Sequence, residues 1–166
     1  MCSSDLVKAT ATRLSWIQFN TSGVDIAAQS GLPDPGKVAI TNAAGANAVA
    51  VGEHAMALMM MVARRANDAV AERAARTWKR REFVAKEISL EGLTLTLVGL
   101  GAIAKVIAKR AKAFDMKVIA VTRSAEAPDP APVPYVDELR PPARLKETAA
   151  ISDVLDRKST RLNSSH

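Results

Sequence analysis

Aromatic side chains are scarce in this sequence. They make up 4% of 166 residues, with three phenylalanines, two tryptophans and one tyrosine. Any core must therefore be built from aliphatic side chains and alanine. Cysteine is nearly absent as well: a lone Cys2 excludes an internal disulfide and fits a reducing compartment. Long apolar runs are missing. The longest, Ala55 to Ala63 (AMALMMMVA), falls far short of the roughly 20 residues of a membrane span and reads as a buried helix. The opening residues MCSSDL contain no hydrophobic stretch of the kind a secretory signal needs. A cytoplasmic protein without a membrane partner or a metal is the expectation.

The composition that is present, 48% hydrophobic against 24% charged, is globular. The length suits one ordinary domain or parts of two. The 23 basic and 17 acidic residues leave a net charge of +6, much of it in Arg64, Arg65, Arg73, Arg76, Lys79, Arg80 and Arg81. Asp68, Glu72 and Glu82 interrupt this run, and Trp78 is its lone aromatic. A solvated helix face is therefore preferred to a nucleic-acid patch.

The two termini share a relation at the nucleotide level. Asp156-Arg157-Lys158-Ser159 can be encoded by GATCGGAAGAGC. Its reverse complement, GCTCTTCCGATC, reads Ser-Ser-Asp in another frame, with Cys before and Leu after permitted, as in Cys2 to Leu6. Both ends resemble a translated short-read sequencing adapter. Residues 1–6 and 156–166 are accordingly expected to be a non-native leader and tail, and the stretch between them a slice of a longer gene.

Within that slice, Leu14, Trp16, Ile17 and Phe19 form a β-prone run that breaks at Thr21-Ser22-Gly23. Val24 to Gln29 suits one or two helical turns, LPDPGK is a turn by composition, and Lys37 to Thr41 alternates as a strand. Asn42 to Ala46 is a loop, and Asn47 suits an N-cap. A long helix is predicted from about Ala48 to Arg76, apolar nearly all round at first and strongly charged later. A strand at Thr94 to Val98, a helix after Gly101 and a strand in MKVIAVTRS (residues 116–124) then make a βαβ unit, with the two strands parallel. The helix is predicted to bury Ile103, Ile107, Ala111 and Phe114, with Lys105, Lys109 and Lys112 outside. Proline is dense from Ala127 to Pro142, an irregular excursion with a brief strand expected at Val133 to Val136. Ala143 to Ala150 reads as helix, and Ser152 to Leu155 as the opening of another strand.

Gly99-Leu100-Gly101-Ala102-Ile103-Ala104 fits G-x-G-x-x-A, a dinucleotide-binding pattern. The first glycine permits the tight turn, the second lets a phosphate reach the backbone, and alanine is accepted at the third position. The amides around Ala102 and Ile103 would then face the pyrophosphate at the positive end of the helix. The motif follows a predicted strand and opens a predicted helix, which is the context that gives it weight. At the end of the second strand stands Thr122-Arg123-Ser124 rather than a carboxylate for the ribose of NAD. The Arg123 guanidinium suits a 2′-phosphate, with either hydroxyl adding a hydrogen bond, which favours NADP. The alternative is NAD, with Arg123 a solvent-facing strand end and Glu126 or Asp129 on the ribose.

Taken in order, WIQFNTSGVD, ITNAAGANAVAVGEHAMALMM, VGLGAIAKVIAKRAKAFDMKVIAVTRS and AAISDVL resemble the D-isomer-specific 2-hydroxyacid dehydrogenases. The resemblance covers about Leu14 to Leu155. It implies an α/β fold: a truncated doubly wound, Rossmann-like parallel sheet plus part of a flavodoxin-like substrate domain. The domains expected are 7–47 (partial substrate domain), 48–84 (interdomain helix and connection) and 85–155 (first half of the dinucleotide-binding domain). It further implies a parent enzyme moving hydride between a nicotinamide cofactor and a small 2-hydroxy or 2-oxo acid, as a homodimer through the helix near Ala48. Ser22 and Gly23 would occupy the loop whose amides face the substrate carboxylate; the other reading is a glycine needed only for the turn. Ala102 departs from the arginine many members carry there, and Asp115 from the glycine that usually ends the helix.

The chain has two histidines. His166 falls in the expected foreign tail. His54 precedes the cofactor loop, whereas the family's catalytic histidine follows the cofactor domain, so His54 reads as a packing or dimer-face residue. Arg140 and Arg144 lie too early for the family's substrate arginine. No catalytic residue is assigned, and the chain alone is expected to be inactive. A dinucleotide-binding sensor without catalysis is the alternative for the parent.

Overall fold

The computed structural model describes residues 13–23, 38–77 and 84–157. The chain divides between Asn47 and Ala48 into two compact units. In the first, β1 (Trp16–Gln18) and β2 (Ala39–Thr41) pair in parallel, Trp16 opposite Ala39. The Trp16 indole N–H donates to Thr41 Oγ1 at 2.7 Å, and that hydroxyl donates to Gln18 Oε1 at 2.5 Å. Parallel strands need a crossover; the helical turns expected at Val24 to Gln29 and the LPDPGK turn lie outside the described residues.

The second unit contains α1 (Ala48–Ala63), α2 (Ala66–Ala74), β3 (Thr94–Val98), α3 (Ala102–Lys112), β4 (Lys117–Val121), β5 (Glu138–Arg140), α4 (Leu145–Ala150) and β6 (Val154–Arg157). Its four strands are all parallel, in the order β5-β4-β3-β6. The chain moves outward from β3 through β4 to β5, then returns to the other side of β3. That reversal is the switch point of a doubly wound sheet. Strands covered on both faces read as nearly continuous apolar runs, as KVIAV does. Leu95, Leu97, Val118 and Ala120 join one core with α1 and α3. By alternation, Thr96, Ile119 and Val121 face the opposite side.

The long helix breaks. Arg65 takes φ 50° and ψ 38° between α1 and α2, where neither glycine nor proline warns of it. The cause is tertiary: the Ile88 amide donates to the Ala63 carbonyl at 2.9 Å, and Arg64 pairs with Glu87 at 2.8 Å. The connection thus takes over the end of α1. In α3 the buried residues are Ala104, Ile107, Ala108 and Ala111, while Phe114 is exposed beyond the helix end. The alanines let α3 lie close to the sheet and to α1. Asp115 ends the turn at φ 55°, a conformation aspartate tolerates better than most residues.

The strand expected at Val133 to Val136 is a turn, with Tyr135 at φ 67°, and the strand forms at β5 instead. Asp137 sets the start. Its amide donates to the Val118 carbonyl at 2.9 Å, and its carboxylate accepts from the Val118 amide at 2.7 Å and Lys112 Nζ at 3.0 Å. Burial pulls that carboxyl upward, but the Val118 amide and Lys112 outweigh it and hold it below the usual range.

At its far end β6 continues two residues past Leu155, through Asp156 and Arg157. Asp156 lines a cleft of about 560 Å³ with Leu58, Met59, Val62, Leu93 and Ile107. Burial pushes its carboxyl above the ordinary value, and among the described residues no opposing charge or hydrogen bond offsets it.

Two substitutions test this packing. A Cβ on Gly52 would stand 2.4 Å from Val106 Cγ1 and 3.1 Å from Val106 Cβ. Gly52→Ala should therefore lose about 1–3 kcal/mol to overpacking, more than the roughly 1 kcal/mol that alanine gains in a helix interior. In a Val106→Ala background the same change should become neutral or stabilising, as read by chemical denaturation. Asp156→Asn should raise the melting temperature at neutral pH. Because the folded carboxyl is shifted upward, its penalty is fully present above the folded pKa and relieved as pH falls through it; the advantage of asparagine should shrink on acidification.

Candidate functional site

The glycine loop joins the C-terminal end of β3 to α3. Gly99 has φ +98°, which glycine alone adopts readily, and its amide donates to the Val121 carbonyl at 2.8 Å. Gly101 is the N-cap, at φ −83° and ψ −172°, with no side-chain cap on the helix. Its carbonyl accepts the Lys105 amide at 3.1 Å, closing the first turn. The amides of Ala102, Ile103 and Ala104 precede that bond and point out of the helix end. Lys109, Arg110 and Lys112 occupy the last turn, so basic charge lies at the negative end of the dipole and the amide end is left to an anion.

The two glycines have different physical reasons. Gly99 is demanded by the backbone. Gly101 has an extended conformation open to any residue, and an added Cβ would meet nothing within 4 Å. Neither backbone nor packing requires glycine there, and the space before it suits an incoming phosphate. Ala104, the small third position, is buried at 9% exposure, against the sheet.

Register brings the second element to the same edge. Val98 lies opposite Val121, so Thr122 follows β4 beside the loop. The Thr122 amide donates to the Arg140 carbonyl at 2.9 Å. Thr122 Oγ1 accepts from the Ser124 amide at 3.4 Å and lies 3.1 Å from Ser124 Oγ, capping a 3₁₀ turn over Arg123–Glu126. Arg123 is exposed and makes no ion pair among the described residues. Both hydroxyls are engaged with the turn itself. Glu126 closes that turn, and Asp129 lies further into the excursion; both are exposed.

Ser22 and Gly23 belong to the first unit, in the loop after β1. The Ser22 carbonyl accepts from Asn42 Nδ2 at 3.1 Å and the Gly23 carbonyl from Thr21 Oγ1 at 3.0 Å. These bonds fix the carbonyls inward on the loop. Val24 and Asp25 lie outside the described residues. His54 is exposed on α1, and no cluster of three potential metal ligands occurs among the described residues.

One arrangement near the site escaped the sequence. The Arg140 guanidinium is buried, with Nε and Nη2 on the Glu138 carboxylate at 2.6 and 3.0 Å and Nη1 on Thr148 Oγ1 at 3.2 Å. The available signal is the E-x-R spacing on a strand, which puts both side chains on one face. Arg144 pairs with Glu147.

Residues 56–157 match the family model described as "D-isomer specific 2-hydroxyacid dehydrogenase, NAD binding domain". The hydroxypyruvate reductase of Thermotoga maritima is 40% identical over 100 residues, 60% of this chain and 32% of that protein. The D-3-phosphoglycerate dehydrogenase of Archaeoglobus fulgidus is 37% identical over 83 residues, 50% of this chain and 15% of that one. Among solved structures, a D-isomer specific 2-hydroxyacid dehydrogenase family protein from Aeromonas salmonicida superposes with a TM-score of 0.76 at 25% identity, covering 92% of this chain and 46% of its own. The chain thus spans less than half of each of these relatives.

The contrast between the glycines is testable by thermal unfolding. Gly99→Ala should cost on the order of 1–3 kcal/mol, the strain of a side chain held at that φ. Gly101→Ala should stay within about 0.5 kcal/mol of the parent, as for substitutions away from packing.

Proposed function

This chain belongs to the D-isomer-specific 2-hydroxyacid dehydrogenase family, and on that premise we propose that its second unit holds the adenosine and pyrophosphate portions of NADP. The observation that carries the reading is Gly101, a glycine that neither backbone nor packing requires, at the open N-terminus of α3. The pyrophosphate would be held by the amides of Ala102 and Ile103, with Gly99 and Gly101 shaping the loop. Arg123 would take the 2′-phosphate, and Thr122 and Ser124 would hold the turn that presents it. When bound, the nicotinamide supplies hydride acceptance and donation. This chain's part is to bind the far end of the cofactor and fix its direction across the sheet edge.

The parent protein is read as an oxidoreductase of small 2-hydroxy or 2-oxo acids, with the amides of Ser22 and Gly23 toward the substrate carboxylate. A homodimer through α1 fits that helix: Val49, Val51, Leu58, Met61 and Val62 are all exposed, Val62 at 75%. No described helix is long and apolar enough to cross a membrane.

Binding measurements with NADPH and NADH on the 166-residue chain test the cofactor. NADPH should bind more tightly. Arg123→Ala should weaken NADPH about tenfold or more, the worth of a hydrogen bond to a charged group, and leave NADH nearly unchanged. Gly101→Val should abolish binding of both while the fold persists. Tighter NADH binding, insensitive to Arg123, would instead assign the ribose to Glu126 or Asp129.

A further inference from the structure

We propose that Glu138 and Arg140 are positioning residues for cofactor selection: their ion pair holds the end of β5, whose carbonyl fixes the turn that presents Arg123. The inference rests on the NADP reading of that turn.

The path is short and made of named bonds. Arg140 is the last residue of β5 and lies opposite Val121 in the ladder. Just beyond, its carbonyl accepts the Thr122 amide at 2.9 Å. Thr122 is extended, at φ −149° and ψ 151°, and the chain turns into the 3₁₀ segment at the next residue. The direction in which Arg123 leaves the sheet is therefore set immediately after that bond. On the other side, the Val121 carbonyl accepts the Gly99 amide at 2.8 Å. Residues 121 and 122 thus tie the glycine loop to the end of β5.

β5 is a three-residue strand at the edge of the sheet, so its single ladder gives little resistance to fraying. Its side chains supply the rest. The Arg140 fork meets the Glu138 carboxylate in two bonds, and its third nitrogen reaches Thr148 on α4. Thr148 Oγ1 in turn donates to the Arg144 carbonyl at 2.7 Å, so the acceptor is itself fixed. The Arg140 side chain is only 10% exposed. A half-buried ion pair at a sheet edge is a poor device for stability alone, because desolvation offsets its attraction and an apolar pair serves as well. A planar fork held by two elements is well suited to fixing a backbone position.

The test uses adenosine 2′,5′-bisphosphate and adenosine 5′-monophosphate as probes on the 166-residue chain, with dissociation constants from titration calorimetry. The parent should prefer the bisphosphate, and Arg123→Ala should remove the preference. Arg140→Met and Glu138→Gln should each lower the preference on the order of tenfold with a smaller effect on the monophosphate; Arg140→Lys, which keeps charge but loses the fork, should fall between. A merely structural role would weaken both probes alike, and that result overturns the proposal. If Arg140→Met shows no cooperative melt, Glu138→Gln decides, since its carboxamide keeps shape and one acceptor. No bisphosphate preference in the parent, or one untouched by Arg123→Ala, overturns the NADP reading and this inference with it. A preference lost in Arg123→Ala but unchanged in Glu138→Gln overturns this inference alone.

Discussion

The parallel pairing of β3 with β4 is the constraint on which the site depends. Thr94 to Val98 match Lys117 to Val121 residue for residue, so both strands end at one level. The ladder is then closed by the Gly99 amide on the Val121 carbonyl. That bond is possible because Gly99 turns at positive φ, and the same turn aims α3 back across the sheet with its free amides outward. A slip of one residue would exchange the buried Leu95 and Leu97 for Thr94, Thr96 and Val98 on the core face. The apolar pattern that holds the core thus also sets the distance between the glycine loop and Arg123.

The close packing behind the sheet has its own logic. With few aromatics to fill space, the layers must approach. α3 contributes Ala104, Ala108 and Ala111 to the buried face, and α1 brings Gly52 against Val106. Arg110 reaches Glu53 at 2.6 Å at the margin of that contact. Small side chains at a helix crossing allow proximity without large residues. They also leave little slack, which is why one methyl at Gly52 matters while an exposed Phe114 does not.

What was legible in the residues follows the range over which each signal acts. The βαβ unit, its glycine loop and the parallel sheet could be read because they rest on local periodicity and on the spacing of glycines. The break after Ala63 could not, since it comes from Ile88 and Glu87, more than twenty residues on. The start of β5 was misplaced for the same reason. The short segment Val133 to Val136, with two valines and Tyr135, competes locally for the strand, but the Asp137 side chain engages Val118 and Lys112 and moves the ladder past it. Thr122 to Ser124 stand out as a candidate site from their position after a strand. That both hydroxyls would be used in holding their own turn required the three-dimensional contacts.

Two places depart from the consistency seen elsewhere, and they differ in kind. The Glu138–Arg140 pair sets a buried arginine on a half-buried carboxylate, yet each guanidinium nitrogen has a partner, with Thr148 completing the set. Asp156 is a carboxylate beside Leu58, Met59 and Val62, its burial offset by no charge among the described residues. A satisfied buried polar group next to a site is what a specificity device requires. A half-exposed carboxylate at the wall of an apolar cleft is instead a conflict between side chain and fold.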